Sequence, residues 1–250
     1  MSASLPTVDI ERPGRALAIG AHPDDVEFCC GATLARWSAD GTEVSHLICT
    51  DGSKGTWDPT ADLDALVRLR QDEQRAAARA LGATGDVVFL GEIDGELEAT
   101  RRVISHVAAV IRRLRPDVVL AHDPWKRYRL HPDHRAAGFL ALDAVVAARD
   151  PHFFPEHGLA AHRPSALLLF EADEPNHLER ADEAALAARI AALEAHSSQF
   201  ETTHFYRLDE GDPHDGFRLR ERRKLIDAAL LFDGAVTGGM GEAFHLITEL

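Results

Sequence analysis

The sequence predicts an α/β protein with a Rossmann-like, mostly parallel sheet that is flanked by helices and forms a single domain. Three observations support this prediction. Short apolar runs alternate with longer segments of helical periodicity along the 250 residues, which is the pattern of strands joined by covering helices. A hydrophobic content of 45% is enough for one sizeable core. The sequence has no internal repeat and no low-complexity linker, so we expect one domain over residues 1–250.

The first half of the chain shows four strand and helix pairs. The apolar run "RALAIGA" predicts a buried strand, and the apolar positions from 26 to 37 recur at helical spacing before a stop at Gly41. The strand "EVSHLICT" follows, then the loop "DGSKGTWDPT" and a helix over about 63–81. The strand "DVVFLG" precedes a helix over about 100–114, and the strand "DVVLAHD" precedes a fourth helical pattern. Such alternation implies parallel strands.

The second half continues the alternation with fewer elements. "SALLLFEA" reads as a strand, "EAALAARIAALEAH" as a helix and "RERRKLIDAALLF" as a last helix. No change of composition marks the start of a second domain here.

The charge balance argues against nucleic acid or an anionic membrane as the main partner. The chain has 27 basic and 41 acidic side chains, a formal net charge of −14, whereas phosphate binding needs clustered Lys and Arg. The basic stretches "IRRLRPD" and "RLRERRK" have the spacing of solvated helix faces. A small neutral or polar substrate fits better.

Cysteine usage and the N-terminal segment predict a cytoplasmic protein. Cys29 and Cys30 are adjacent and Cys49 is a single third cysteine, so the three do not form the spacing of a disulfide framework. "MSASLPTVDIERPGR" lacks the apolar region of a signal peptide, and no apolar run is long enough to span a bilayer. The sequence leaves open whether the chain forms a homo-oligomer.

Polar side chains follow the first predicted strand directly. Ligands of open parallel sheets bind beyond the carboxyl ends of the strands, and "AHPDD", with His22, Asp24 and Asp25, lies at such an end. The alternative is a helix cap, with one aspartate accepting backbone N–H bonds and Pro23 setting the turn. Capping explains one aspartate and leaves its neighbour and the histidine unexplained.

A second polar cluster, "YRLHPDHRAAG", follows the strand "DVVLAHD" and therefore lies at the same edge of the sheet. His22, Asp25 and His134 would together supply two imidazoles and one carboxylate. That is the ligand count of a catalytic zinc ion that keeps one position open for water. The alternative, two unrelated polar helix starts, does not explain why both clusters share one edge.

The pair "AHPDDVEFCCGATLA" and "HPDH" resembles the motifs of the zinc-dependent PIG-L/LmbE-like de-N-acetylases, and further similar segments run in order through nearly the whole chain. The segment "EFCCGA" departs from the family pattern, which usually has glycine near the first cysteine and at Ala32. The resemblance implies one Zn²⁺ per chain held by His22, Asp25 and His134, with Asp24 as general base, His131 as acid or oxyanion stabiliser, and Asp133 orienting His131.

The same resemblance places Arg70, Asp94 and His196 where the family contacts substrate or supports the site. Each has a structural alternative: Arg70 could pair with Glu73 or Gln74 along its helix, Asp94 could be a turn residue, and His196 could cap a helix.

Further polar residues lie outside the motifs. His122 and Asp123 end a strand at the site edge, and Asp123 is a candidate for orienting the metal ligands. We expect His152, His157, His162 and His177 in surface loops.

The resemblance implies a hydrolase that removes an N-acetyl group from an amino sugar or sugar conjugate, such as an N-acetylglucosamine conjugate. Zinc chemistry suits this reaction, because amide hydrolysis needs a polarised carbonyl and a strong nucleophile at neutral pH. A related reading is an amidase acting on a thiol-sugar or natural-product amide. A third, a Rossmann-type nucleotide-binding or regulatory protein, lacks a GxGxxG segment after the first strand.

Overall fold

The computed structural model describes residues 6–205, 211–232 and 239–250, which form one eight-stranded sheet with helices on both faces. The strands are β1 (Thr7–Val8), β2 (Arg15–Gly20), β3 (Glu43–Thr50), β4 (Val87–Glu92), β5 (Val118–His122), β6 (Ala166–Phe170), β7 (His177–Ala181) and β8 (Met240–Ile247). The α-helices are α1 (Asp25–Ala39), α2 (Leu63–Ala80), α3 (Arg101–Leu114), α4 (Pro132–Arg149), α5 (Glu183–Glu194) and α6 (Pro213–Leu230). None of these helices is long and apolar enough to cross a bilayer.

The strand order is β1-β7-β8-β6-β5-β2-β3-β4, and the predicted mostly parallel sheet is confirmed. β8 is the exception, since it runs antiparallel to both of its neighbours, β6 and β7. β2 and β5 are adjacent and parallel. Their carboxyl ends therefore meet at one edge, the position expected for a ligand site in such a sheet.

Two apolar layers cover the sheet. Leu17 and Ile19 of β2 pack with α3 and α4 on one face, while Ala16 and Ala18 pack with α1, α2 and α5 on the other. Both faces of the central strands are thus buried, which explains why they read as continuous apolar runs in the sequence. Burying a Leu or Ile side chain of this kind stabilises the folded state by about 1.5–3 kcal/mol relative to leaving it exposed to water.

The structure corrects two predictions, the surface position of His177 and the start of the last helix. His177 lies fully buried in β7, where its ring nitrogens contact Thr7 Oγ1 and Glu179 Oε1, both at 2.7 Å. The predicted surface position is wrong because β7 was not recognised as a strand. The last helix begins at Pro213 and not at residue 220, since the Asp212 carboxylate caps it by accepting the backbone N–H of His214.

Helix α1 is interrupted at Cys30, whose φ of −145° and ψ of 17° are not helical. The Glu242 carboxylate of β8 caps the second part by accepting the N–H groups of Ala32 (3.0 Å) and Thr33 (2.8 Å). Arg189 of α5 donates to Glu242 at 2.6 Å. The two parts of α1 are therefore anchored separately, and the first part carries Asp25 to the site.

Candidate active site

A cleft of about 870 Å³ opens at the carboxyl edge of the sheet. The loop after β2 supplies His22, the loop after β4 supplies Asp94, and the start of α4 supplies His134. Seven of the nine predicted site residues line this cleft: His22, Asp24, Asp25, Arg70, Asp94, His131 and His134. Asp133 and His196 lie behind its wall.

The three predicted metal ligands form a compact triangle. His22 Nδ1 lies 3.4 Å from Asp25 Oδ2 and 3.3 Å from His134 Nε2, and His134 Nε2 lies 3.3 Å from Asp25 Oδ1. Ligand atoms about 2.0–2.1 Å from a tetrahedral zinc ion are about 3.3 Å apart. The donor set and its spacing therefore fit such an ion, and all three residues line the open cleft.

Asp133 and Asp94 fix the orientation of His22. His22 Nε2 lies 3.1 Å from Asp133 Oδ2 and 3.2 Å from Asp94 Oδ1, which leaves Nδ1 directed at the triangle. A carboxylate on the outer nitrogen of a histidine ligand is the usual arrangement in metal sites. Burial opposes a charged His22, but its contacts with Asp133, Asp25 and Asp94 prevail and raise its pKa well above the ordinary value.

The Asp133 carboxylate does not make the contact that the family resemblance implies. It accepts the backbone N–H groups of Gly95 (2.6 Å) and Leu97 (3.2 Å) in addition to its contact with His22. His131 instead receives the backbone N–H of Asp133 on its Nδ1 at 3.3 Å. Because these partners already occupy the carboxylate, Asp133 orients the predicted ligand His22, and its main chain orients His131.

Asp24 has a strained backbone and a buried side chain. Its φ of 100° is rare for a residue with a side chain, and such outliers concentrate at functional sites. Its N–H donates to Gln74 Oε1 at 3.0 Å, which holds the turn. Burial raises the pKa of Asp24 to about 6 despite the opposing charge of Arg70, whose Nη2 lies 3.7 Å from Asp24 Oδ2.

The capping alternative for the two aspartates is wrong. Asp24 occupies the N-cap position of α1, yet its side chain makes no capping hydrogen bond. The Asp25 carboxylate accepts the N–H of His22 at 2.7 Å, which tightens the loop before the helix.

His131 is placed to donate a hydrogen bond into the cleft. Its Nδ1 accepts the N–H of Asp133, so in the neutral ring Nε2 carries the hydrogen. Burial, with the charges of His22 and His134, lowers the pKa of His131 and favours this neutral form. The ring packs at 4.5 Å from His22 and 5.0 Å from His134, measured between ring centroids.

Arg70 and Asp94 line the cleft and also hold its loops. Arg70 donates to the backbone carbonyls of Gly52 (2.8 Å) and Pro23 (2.7 Å). Its predicted alternative partner Glu73 is taken by hydroxyl and N–H groups of Ser197 and Ser198, so pairing with Glu73 is wrong. Asp94 Oδ2 accepts the N–H of Lys54 at 3.0 Å.

His196 lies in a buried polar cluster behind Asp24. Its Nε2 is 3.5 Å from Glu27 Oε2, and Glu27 Oε1 accepts from Gln74 Nε2 at 2.7 Å. Gln74 in turn accepts the N–H of Asp24. His196 caps no helix with its side chain and is absent from the residues that line the cleft. His196 is therefore linked to the predicted base Asp24 through Glu27 and Gln74, and its position gives no support to a direct contact with substrate.

Sequence reasoning missed the part played by His122. This fully buried side chain at the end of β5 places Nε2 3.3 Å from Asp25 Oδ2. Asp123, the candidate for orienting the ligands, instead accepts the N–H of Trp125 at 2.9 Å and lines a separate, smaller cleft. The position of His122 at the end of a predicted strand was a signal in the sequence, but its contact with Asp25 also requires β2 and β5 to be adjacent, which only the sheet order shows.

Arg129 lies between His134 and Glu171. Arg129 Nη1 lies 2.8 Å from His134 Nδ1, and its Nη2 lies 2.6 Å from Glu171 Oε2. A metal on His134 Nε2 would leave a proton on Nδ1. Two hydrogen-bond donors would then face each other, so we expect Arg129 to keep only its ion pair with Glu171.

Comparison with known proteins points to one family. The family model described as PIG-L, GlcNAc-PI de-N-acetylase, matches residues 17–145. Diacetylchitobiose deacetylase of Thermococcus kodakarensis is 35% identical over 189 residues, which cover 74% of this chain and 70% of that protein. The 1D-myo-inositol 2-acetamido-2-deoxy-alpha-D-glucopyranoside deacetylase of Streptomyces avermitilis is 36% identical over 169 residues, covering 58% of this chain and 57% of that protein.

The solved structures agree. N,N'-diacetylchitobiose deacetylase from Pyrococcus horikoshii, determined with its inhibitor MPG, superimposes with a TM-score of 0.80 at 28% identity. The match covers 94% of this chain and 84% of that chain. The similarity therefore extends well beyond the residues matched by the family model.

Proposed function

The chain belongs to the PIG-L family of de-N-acetylases, and from this membership we propose that it is a metal-dependent hydrolase that removes an N-acetyl group from an amino sugar or sugar conjugate. The observation that carries the proposal is the triangle of His22, Asp25 and His134 beside the buried carboxylate of Asp24 in an open cleft. We further propose that residues 1–250 form one such domain.

We propose Zn²⁺, one per chain, as the metal held by His22, Asp25 and His134. Two imidazole nitrogens and one carboxylate oxygen at tetrahedral spacing support this choice over Mg²⁺ or Ca²⁺, which prefer oxygen donors. When bound, such an ion supplies Lewis acidity toward the acetyl carbonyl and makes water acidic enough to react near neutral pH. Asp133 and Asp94 keep the Nδ1 of His22 free for it.

Asp24 is the proposed general base. With a pKa of about 6 its carboxylate is ionised at neutral pH and still basic enough to accept a proton from the attacking water. Gln74 and the strained turn hold it at the cleft wall. The role fits a side chain that is buried, uncommitted to capping and adjacent to a proposed ligand.

His131 is the proposed oxyanion stabiliser on the opposite side of the reaction. The Nε2–H of its neutral ring can donate a hydrogen bond to the acetyl oxygen as negative charge develops there, and the proton that Asp24 takes from the water is the one available to the departing amine. The backbone N–H of Asp133 maintains the tautomer that this requires.

The proposed substrate is an N-acetylated sugar or glycoconjugate. The cleft volume of about 870 Å³ lies within the range of small-molecule sites. The similar proteins are named as deacetylases of diacetylchitobiose and of an N-acetylglucosaminyl inositol. Arg70 and Asp94 are proposed to face the sugar, and His196 to support Asp24 from behind.

Cytoplasmic location is part of the proposal. The thiols of Cys29, Cys30 and Cys49 are all unpaired, which supports a reducing compartment.

The test is a screen of N-acetylated sugars and sugar conjugates, including diacetylchitobiose and N-acetylglucosaminyl inositol, with zinc-loaded protein of verified metal content. We expect release of free amine and acetate from at least one of them. Asp24→Asn protein of equal zinc content is the matched control. Absence of release from every compound by verified holoprotein would contradict the proposed function.

A further inference from the structure

Three side chains outside the proposed mechanism form a second cluster of metal-ligating groups. Cys29 lies one turn after Asp25 on α1, His122 ends β5, and Glu171 follows β6. One donor atom from each lies within 4.8 Å of the other two. The donors are a thiol sulfur, an imidazole nitrogen and a carboxylate oxygen, a set that suits Zn²⁺ and Cd²⁺.

His122 supplies the strongest indication that the cluster is a site. Its Nε2 is directed at Asp25, whereas its Nδ1 is buried and has no hydrogen-bond partner among the described residues. Leaving a buried polar nitrogen unpaired is unfavourable and calls for an explanation. This nitrogen lies 3.9 Å from Glu171 Oε2, and a cation between His122, Glu171 and Cys29 would satisfy it.

The cluster is accessible from the cleft. Cys29 and Glu171 both line its wall, so an ion arriving with solvent reaches the sulfur and the carboxylate without passing through the core. The contact between Arg129 and Glu171 has to open for the ion to bind. A competing ion pair of this kind predicts weaker binding than at the proposed catalytic triangle.

Filling this site would disturb the catalytic side of the cleft. Glu171 holds the guanidinium of Arg129 beside the outer nitrogen of His134. Withdrawing Glu171 toward a cation releases Arg129 beside a proposed ligand, and the ion itself occupies the wall of the cleft.

We propose that Cys29, His122 and Glu171 form a second, weaker site for Zn²⁺ or Cd²⁺, and that its occupation inhibits the enzyme. The inhibitory part rests on the proposed function, whereas the binding part does not.

The neighbouring cysteine provides a matched control. Cys30 is buried in the core, and its Sγ–H donates to the carbonyl of Val26 at 3.3 Å. It is absent from the residues that line the cleft. Replacing Cys30 removes a thiol one position away without touching the proposed site.

The experiment adds Cd²⁺ to the one-zinc holoprotein and follows the ultraviolet charge-transfer band of a cadmium thiolate, with both metals counted by elemental analysis. We expect one additional equivalent and the appearance of the band. The proposed catalytic triangle contains no sulfur, so exchange of its ion produces no band. Cys29→Ala should lose the band and the extra equivalent, Glu171→Gln should weaken binding, and Cys30→Ala should behave as the parent.

Activity is measured in the same series with excess Zn²⁺. The parent and Cys30→Ala should be inhibited, and Cys29→Ala should keep its activity. A band that persists in Cys29→Ala, or a parent that takes up no extra equivalent, overturns the site. A band without inhibition overturns the inhibitory role. Failure of the proposed function appears separately, as absence of amine release before any metal is added.

Discussion

Asp24 and Asp25 are adjacent, but the backbone directs their carboxylates to different surroundings. The positive φ of Asp24 turns its carboxylate to the cleft wall beside Arg70, while Asp25 points between His22, His134 and His122. Burial raises the pKa of Asp24, whereas the imidazoles around Asp25 overcome the effect of burial and hold its pKa well below the ordinary value. The raised pKa thus suits Asp24 to the proposed role of base, and the lowered pKa suits Asp25 to that of an ionised metal ligand.

The first prediction separates these roles. Asp24→Asn keeps the size of the side chain and suits the left-handed backbone, but the amide cannot accept the proton of water. Turnover is expected to fall about 10²- to 10⁴-fold with unchanged zinc content. Asp25→Ala should lose zinc and activity together. Turnover and zinc stoichiometry are measured for both, and a fully active Asp24→Asn enzyme would refute the assignment of the base.

The second prediction concerns Asp133. Asp133→Asn weakens the contact that fixes His22, so zinc affinity should drop about 10- to 100-fold. Competition with a chelator measures it. Asp123→Asn is the control, because Asp123 caps a turn at Trp125. Equal affinity in the parent and Asp133→Asn would show that Asp133 does not support the metal.

At the scale of elements, a buried ion pair joins the C-terminal helix to the rest of the molecule. Arg189 of α5 donates to Glu221 of α6 at 2.7 Å and also to Glu242 of β8. Burial alone would raise the pKa of Glu221, but Arg189 and Lys224 outweigh it and hold the pKa below its usual range. The bound carboxylate therefore stabilises the fold only while it is ionised.

The third prediction follows from the sign of this shift. Because the pKa of Glu221 is lower in the folded state, its contribution is present above the unfolded value of about 4.3 and is lost as the pH falls through the folded value. Glu221→Gln should lower the free energy of unfolding by about 1–3 kcal/mol at pH 7, and by less in acid. Urea unfolding of parent and variant at several pH values measures the difference.

The control for this series is Glu183→Gln. Glu183 pairs with Arg222 on the surface, where solvent screens the charges. Its replacement should change stability little at any pH. A cost of Glu221→Gln that grows in acid would mean that Glu221 is not held as a carboxylate.

The elements recovered from the sequence were those with a strong apolar signal. The strand "EVSHLICT" coincides with β3, and the helices over 63–81 and 100–114 match α2 and α3 to within a residue at either end. β7 and β8 were missed because their inward residues include Glu179 and Glu242. The partly buried Arg36 and the buried Arg189, both distant in sequence, neutralise these side chains, and no local pattern reveals that pairing.

At the scale of the whole molecule, the site could be located from the sequence but its contacts could not. Two polar motifs at the ends of apolar runs were enough to bring His22 and His134 to one edge, because parallel strands align their carboxyl ends. The contact between Asp133 and His22 depends on the loop after β4. The place of His196 behind Asp24 depends on how α2 packs on α5, which the sequence pattern does not specify.

The fourth prediction concerns metal removal. The apolar layers of the sheet pack without any contribution from the metal triangle, so metal-free protein should lose activity but keep its secondary structure. Zinc in excess should raise the melting temperature, because it binds the folded state. At a free zinc concentration of a hundred times the Kd, the free energy of unfolding should rise by about 2.7 kcal/mol. Amine release, circular dichroism and melting curves are compared before and after chelation. Full activity after verified removal would contradict the metal-dependent mechanism.

The position of β8 has a consequence for biosynthesis. This strand lies between β6 and β7 in the sheet, although it follows both of them in the chain. While the ribosome is still translating, β2 to β6 can pair with one another and bring both polar motifs to one edge. β7 cannot join that sheet until residues 240–247 have emerged, because β8 lies between β7 and β6. The edge of β6 is therefore unpaired in the nascent protein, and it is the surface that a chaperone would have to shield.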